Sequence, residues 1–350
     1  MKPKGLNTIM YEIKSIEIEL TTVCNAHCPI CIRYDARDEG LFINPKANIN
    51  QLIDLDIIET IFKSDKLSDH INVDLIGTSG EPLAHPKILD IIKLIVQHKP
   101  KAKLNIHTNG GLRTTKFFAE LARILPLKSR VCFSLDGLAD TNHLYRIGVN
   151  FDKAISNLTA FVEAGGRAIW QFVIFDWNEH QQEECKKYAL DLGCHSFETR
   201  TNVDPDAINA SMISANKQIS NIVSPLYEPL LIDKIPLLPD YDYIDDVCIQ
   251  NQEIFIGPDG KVYPCCMFYA AKAGPSDKQV DADMYKKFGH DWNDLTIHSL
   301  DRILEHLWWD ELHTSITERP CHSCIDQCGT KRDERSVSNI EETGYELSLQ

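Results

Sequence analysis

Three cysteines stand close together near the start of the chain, in Cys24-Asn25-Ala26-His27-Cys28-Pro29-Ile30-Cys31. Thiolates are the soft ligands that iron–sulfur clusters require, and a loop with the spacing C-x3-C-x2-C can wrap three of them around one corner of a [4Fe–4S] cubane. Three ligands, rather than four, leave one iron open to a further molecule. Zinc is the competing metal, but structural zinc takes four ligands, commonly as two spaced pairs. His27, inside the loop, is awkwardly placed to be the fourth. A disulfide would need an oxidising compartment, for which the upstream residues give no sign.

Further residues with chemical potential fall at regular intervals downstream. Gly77-Thr78-Ser79-Gly80-Glu81-Pro82 combines glycines, which let backbone approach a ligand, with a carboxylate that would need a cation if buried. It reads equally as a proline-ended turn. His107-Thr108-Asn109-Gly110-Gly111 contains an Asn-Gly pair that favours positive φ, so it too has a plain reading as a turn. In Ser134-Leu135-Asp136-Gly137 a hydroxyl and a carboxylate two residues apart would project to one face of a strand, as ribose hydroxyls require. Arg146 follows, either as an anion partner or in a surface ion pair. Val173-Ile174, Asn178 and Glu179 end a later apolar run.

The elements that must position these residues alternate. Strand-like runs are expected at Ile16–Leu20, Val73–Ile76, Lys103–His107, Val131–Leu135, Ile169–Phe175 and Ser196–Thr199. Helical spacing of apolar residues is expected at Leu52–Phe62, Ile88–Val96, Phe117–Leu125, Ala154–Val162 and Glu183–Leu192. Strand and helix alternating about every thirty residues imply a parallel sheet with right-handed crossovers. Six units suit an α/β fold of partial (β/α)6 TIM-barrel type, whose sites gather at the C-terminal ends of the strands. The cysteine loop begins at such an end.

Together these motifs resemble the radical S-adenosylmethionine (radical SAM) superfamily. The resemblance implies that Cys24, Cys28 and Cys31 hold a [4Fe–4S] cluster whose open iron chelates SAM. It implies SAM contacts from Gly80 and Glu81 to the methionyl ammonium, and from Asn109 in the Thr-Asn-Gly segment. Ser134 and Asp136 would meet the ribose, Arg146 the carboxylate, and Val173 with its neighbours the adenine. Ser79 stands where the family commonly has glycine. Ile30 stands where it commonly has an aromatic residue. The implied chemistry is reductive cleavage of SAM to a 5′-deoxyadenosyl radical that takes hydrogen from a substrate, fed by an external low-potential electron donor.

A second cysteine group comprises Cys248, Cys265, Cys266, Cys321, Cys324 and Cys328. Apolar runs flanking Pro258-Asp259-Gly260 read as a β-hairpin between the first two, and a helical stretch at Leu300–His313 precedes the later C-x2-C pair. The spacing resembles the SPASM or shorter twitch extension, which implies an auxiliary [4Fe–4S] cluster. Cys248, Cys265, Cys321 and Cys324 are the best four ligands, with Cys328 competing for either place in the pair. Structural zinc is the alternative. Cys132, Cys185 and Cys194 read as buried thiols.

Composition narrows the class. The 350 residues, 43% hydrophobic and 25% charged, suffice for a full core and two domains. The expected division is 1–14 as an N-terminal extension, 15–200 as the barrel, 201–247 as a proline-broken linker, 248–335 as the auxiliary-cluster domain and 336–350 as a tail. No apolar run approaches a membrane span and no signal-peptide core follows Met1, so a cytoplasmic protein is expected. Twelve cysteines then point to metal ligation, and a net charge of −15 disfavours a phosphate backbone as partner. The resemblance leaves modification of a peptide or protein as the first reading. A small-molecule dehydrogenase, or another radical SAM enzyme of secondary metabolism, is the second. The short stretch before the first strand, with no room for a leader-binding domain, tempers the first. A zinc-stapled binding scaffold is the non-enzymatic alternative, and it would leave Gly80-Glu81 and Ser134-x-Asp136 unused.

Overall fold

Alternation along the first strand, β1 (Ile13–Glu19), sets the two faces of the sheet. Ile16 and Ile18 are fully buried on one side, while Ser15, Glu17 and Glu19 lie on the other. The computed structural model describes residues 12–29, 31, 33–37, 40–43, 50–200, 243–244, 251–270, 287–309, 311–312 and 328–330. After β1 comes a short antiparallel hairpin of β2 (Tyr34–Arg37) and β3 (Gly40–Ile43). The parallel strands continue with β4 (Leu67–Ile76), β5 (Lys103–Thr108), β6 (Arg130–Ser134), β7 (Ala168–Val173) and β8 (Ser196–Arg200).

Between them run α1 (Leu55–Phe62), α2 (Ile88–His98), α3 (Thr115–Ile124), the single turn α4 (Asn142–Tyr145), α5 (Phe151–Glu163) and α6 (Gln182–Asp191). The strands lie side by side in chain order, β1-β4-β5-β6-β7-β8. Right-handed crossovers that always step the same way put every helix on one face, and the sheet curls as a partial barrel. The aromatic packing agrees: Phe133 of β6 meets Phe118 of α3 at 5.5 Å and Phe161 of α5 at 6.0 Å, and Trp170 of β7 meets Tyr188 of α6 at 6.0 Å between ring centroids. Caps define the helix starts, with Thr114 accepting from the Phe117 N–H and Asn150 from the Lys153 N–H.

The expected hairpin at Pro258-Asp259-Gly260 is present, as β10 (Glu253–Ile256) and β11 (Val262–Tyr263). It does not stand apart. β10 pairs in parallel with β1, so the hairpin extends the barrel sheet to eight strands, β11-β10-β1-β4-β5-β6-β7-β8. β9 (Tyr243–Ile244) pairs antiparallel with β12 (Gly329–Thr330). α7 (Cys266–Ala270) follows β11, and α8 (Leu300–Leu304) occupies the start of the expected helical stretch. Most of the linker, the tail and the N-terminal extension lie outside the described residues, as do Ile30, Cys248, Cys321 and Cys324. Among the described residues no helix is long and apolar enough to cross a membrane.

Candidate functional site

Cys24, Cys28 and Cys31 lie just past the C-terminal end of β1, Cys28 buried and the other two half-buried. Two neighbouring segments clamp the loop, and one bond closes it internally. The His27 N–H donates to the Ile147 carbonyl at 2.8 Å, the Glu81 N–H to the Val23 carbonyl at 2.9 Å, and the Cys31 N–H to the Cys28 carbonyl at 3.1 Å. Gly148, at φ +88°, closes against it, and a Cβ there would stand 2.8 Å from the Asn25 carbonyl oxygen.

Donors are aimed at the sulfurs. The Ala26 N–H reaches Cys24 Sγ at 3.3 Å, Asn109 Nδ2 approaches the same sulfur at 3.9 Å, and Arg146 Nη1 approaches Cys28 Sγ at 3.9 Å. Burial pushes the Cys24 thiol up to about 12 and Cys31 to about 11, and raises Cys28 as well. Protein alone would therefore keep them neutral, and a bound iron–sulfur cluster would supply the positive charge that makes them thiolates. Thiols grouped under N–H and guanidinium donors are a donor set suited to an anionic iron–sulfur cluster. Among the described residues no three or more His, Cys, Asp or Glu side chains are gathered to hold a single metal ion.

The other expected residues come to the same rim. Gly80 packs on the chain just past β1, where a Cβ would fall 1.8 Å from the Thr21 carbonyl oxygen. Glu81 is buried and joins two loops, accepting from the Asn109 N–H at 2.8 Å and from the Leu83 N–H at 3.3 Å. Burial raises its pKa. Asn109 also reaches the cysteine loop through Nδ2 to Asn25 Oδ1 at 2.9 Å.

Ser134 ends β6 half-buried, whereas Asp136 is completely buried. Both Asp136 oxygens are engaged, Oδ2 with Arg146 Nε at 2.6 Å and Oδ1 with the Val173 N–H at 2.8 Å. Its work in this structure is to hold Arg146 and the end of β7. Burial opposes the charge of Arg146, but Asp136 and then Cys28 keep the guanidinium firmly protonated. Arg146 is thus no surface ion pair. Asn178 spends its amide on the Asp136 and Val173 carbonyls and on the Phe175 N–H, so it braces the β7 end from within.

A second set of residues had not been singled out. The face away from the helices carries a row in register across five strands: Phe255, Glu17, Asp74, Asn105 and Arg130. Asn105 Nδ2 donates to Asp74 at 2.7 Å, and Arg130 Nε donates to Asn105 Oδ1 at 2.9 Å. Arg130 lies 3.9 Å from Glu198, and Arg200 faces the Gln171 amide, whose oxygen accepts from it once the amide is turned over. Burial, then Glu253 and Asp74, push Glu17 up to about 7 against a hydrogen bond with Cys266. Burial pushes Glu19 to about 7 against its bonds from Ser79. His107 and Cys132 sit on the same face, His107 held neutral by burial. The signal was there to be read: Ile16-Glu17-Ile18-Glu19 alternates, where strands buried on both faces are usually continuous apolar runs.

Of the second cysteine group, Cys265 and Cys266 lie half-buried at the end of the hairpin and Cys328 half-buried just before β12. The β9–β12 register sets Gly329 against Ile244, bringing the segment after Cys328 beside the one that leads to Cys248. Cys132, Cys185 and Cys194 are buried thiols, as expected.

Comparison with known proteins gives this geometry a class. Residues 18–188 match the radical SAM superfamily, a family whose cofactors are a [4Fe–4S] cluster and SAM. Among curated proteins it is similar to the tungsten-containing aldehyde ferredoxin oxidoreductase cofactor-modifying protein of Pyrococcus furiosus, 26% identical over 73% of this chain and 72% of that one. It is also similar to GTP 3′,8-cyclase of Microcystis aeruginosa, 29% identical over 46% of this chain and 42% of that one. Among solved structures, native anSMEcpe with bound AdoMet and Cp18Cys peptide superposes with a TM-score of 0.52 at 16% identity, covering 91% of each chain. That last likeness is one of fold.

Proposed function

We propose that the chain is a radical SAM enzyme that abstracts a hydrogen atom from a side chain of a peptide or protein received on the inner face of the sheet. The observation that carries this reading is the convergence of Cys24, Cys28 and Cys31 with Asn109 and Arg146 at the rim of a polar inner face. When bound, the cluster and SAM supply a 5′-deoxyadenosyl radical after one-electron reduction, and a second cluster supplies an electron acceptor.

The protein's own part is positioning. The three cysteines hold three irons, and Arg146, fixed by Asp136, faces the SAM carboxylate. Gly80 and Glu81 receive the methionyl ammonium, Asn109 sets the spacing of the cysteine and Glu81 loops, Ser134 meets the ribose, and the Val173 region meets the adenine. Cys248, Cys265, Cys321 and Cys324 hold the auxiliary [4Fe–4S] cluster. The β9–β12 pairing keeps Cys328 as the competitor for the place of either Cys321 or Cys324. An external low-potential donor supplies the first electron.

The peptide bound by anSMEcpe, a protein of the same fold, supports a peptide substrate. The names of the two curated relatives, one cofactor-modifying and one a GTP cyclase, favour a small molecule as the second reading. A zinc-stapled scaffold would leave the rim residues idle. The test is mass spectrometry of the anaerobic enzyme with reductant, SAM and side-chain-deuterated peptides. Deuterium in 5′-deoxyadenosine with a matching mass change in the peptide is expected. Transfer from small molecules only would replace the peptide reading.

A further inference from the structure

Where β10, β1 and β4 adjoin, the inner face gathers acidic side chains. Glu17 and Glu19 project from the same side of β1, with Asp74 beside Glu17 in register and Phe255 on its other flank. Glu19 is fully buried; Ser79 holds its Oε1 through the backbone N–H and the hydroxyl, while Oε2 has no partner. Glu17 is half-buried, and its Oε2 is also unpartnered. Among the described residues the groups acting on the two carboxylates are Ser79, Gly80, Cys266 and further acids, with no lysine or arginine. A buried carboxylate oxygen without a donor is costly and calls for a partner. Tyr269, half-buried, acts on Ser79 and stands within the field of Glu19, and its ring stacks on Phe255 at 5.1 Å. Carboxylates beside an aromatic face are the surroundings that an organic cation selects. Across the sheet, Arg130 and Arg200 would repel such a group, steering it to the β1 side.

We propose that this corner binds an ammonium or guanidinium group of the substrate, with Glu19 as floor, Glu17 as the reachable partner and Tyr269 as wall. The inference rests on the reading that the inner face receives substrate. Ser79 adjoins Gly80-Glu81, so a cation held here lies next to the SAM loop. A lysine or arginine side chain of a peptide and a free amine share this chemistry.

The test uses the full chain, reconstituted anaerobically with SAM, and reads dissociation constants by ligand-observed NMR. The probes are N-acetyl-lysine methylamide, its neutral isostere N-acetyl-norleucine methylamide, and putrescine. The lysine amide should bind about tenfold more tightly than the norleucine amide. Glu17→Gln, Glu19→Gln and the double variant should each shrink that preference, the double variant abolishing it. Separate single variants keep the test readable if one fails to fold. Putrescine binding as well as the lysine amide assigns the corner to free amines; weaker putrescine binding assigns it to peptide side chains. Equal affinity for lysine and norleucine amides, a preference unchanged in the double variant, or no binding of any probe overturns the proposal. The same wild-type preparation is assayed for 5′-deoxyadenosine. Its absence would sink the radical SAM reading while leaving a measured cation preference standing.

Discussion

Arg146 is the residue on which the rim depends most, because it faces Cys28 while its charge is balanced by a fully buried Asp136. Removing one partner of a buried pair strands the other charge, at a cost of about 3–5 kcal/mol. Asp136→Asn should therefore lower the urea midpoint clearly and weaken SAM binding, while Ser134→Ala should spare stability. An unchanged midpoint in Asp136→Asn would mean the pair is exposed to water. Glu17 gives a prediction of the opposite kind. Burial lifts its folded pKa to about 7 from an ordinary 4.5, so the native state holds its proton more tightly than the unfolded chain. Its contribution is fully present below about pH 4.5 and is lost as pH rises through about 7. Glu17→Gln should raise the melting temperature of the substrate-free enzyme at pH 8 by a few degrees and leave it nearly unchanged at pH 4.5. Equal effects at both values would contradict the burial argument.

Loops do at the scale of elements what Arg146 does among residues, since each strand end supplies one wall of the rim. The Gly77–Pro82 loop lies directly on the backbone that leads into the cysteine loop. A methyl at Gly80 would overlap the Thr21 carbonyl oxygen, and overpacking of this kind costs about 1–3 kcal/mol. Gly80→Ala should weaken SAM binding more than it lowers the melting temperature, because the displaced loop carries Glu81. Wild-type SAM affinity in this variant would remove the loop from the site. Six strands and five helices were legible in sequence because each strand pairs with its neighbour in chain order, so local periodicity and global topology agree. The β10 pairing with β1 was not legible, because some 230 residues separate the two strands and nothing local to the hairpin names its partner. Asp136 lies two residues past the end of β6, and its buried bond with Arg146 depends on a tertiary contact that strand periodicity does not encode. The acidic corner was written in the Ile-Glu-Ile-Glu alternation, yet the two carboxylate oxygens without a partner among the described residues could be seen only once β4 and β10 were in place.

At the scale of the whole molecule the sheet is continuous from β11 to β8, so the chain carrying Cys265 is built onto the same framework as the cysteine loop. If Cys248, Cys265 and two of Cys321, Cys324 and Cys328 supply the four ligands of a second cubane, the anaerobically reconstituted protein should hold about eight irons per chain. Replacing Cys24, Cys28 and Cys31 together by Ala should leave about four. Four irons with one equivalent of zinc in native protein would instead assign the second site to zinc and leave the barrel untouched. The most direct measurement is 5′-deoxyadenosine formation by the purified, reconstituted chain with SAM and dithionite, wild type beside the Cys24/Cys28/Cys31 triple Ala variant. The expected result is clear production by the wild type and none by the variant, although the variant stays folded and keeps half its iron. Equal production by both would contradict the assignment of SAM cleavage to these three cysteines.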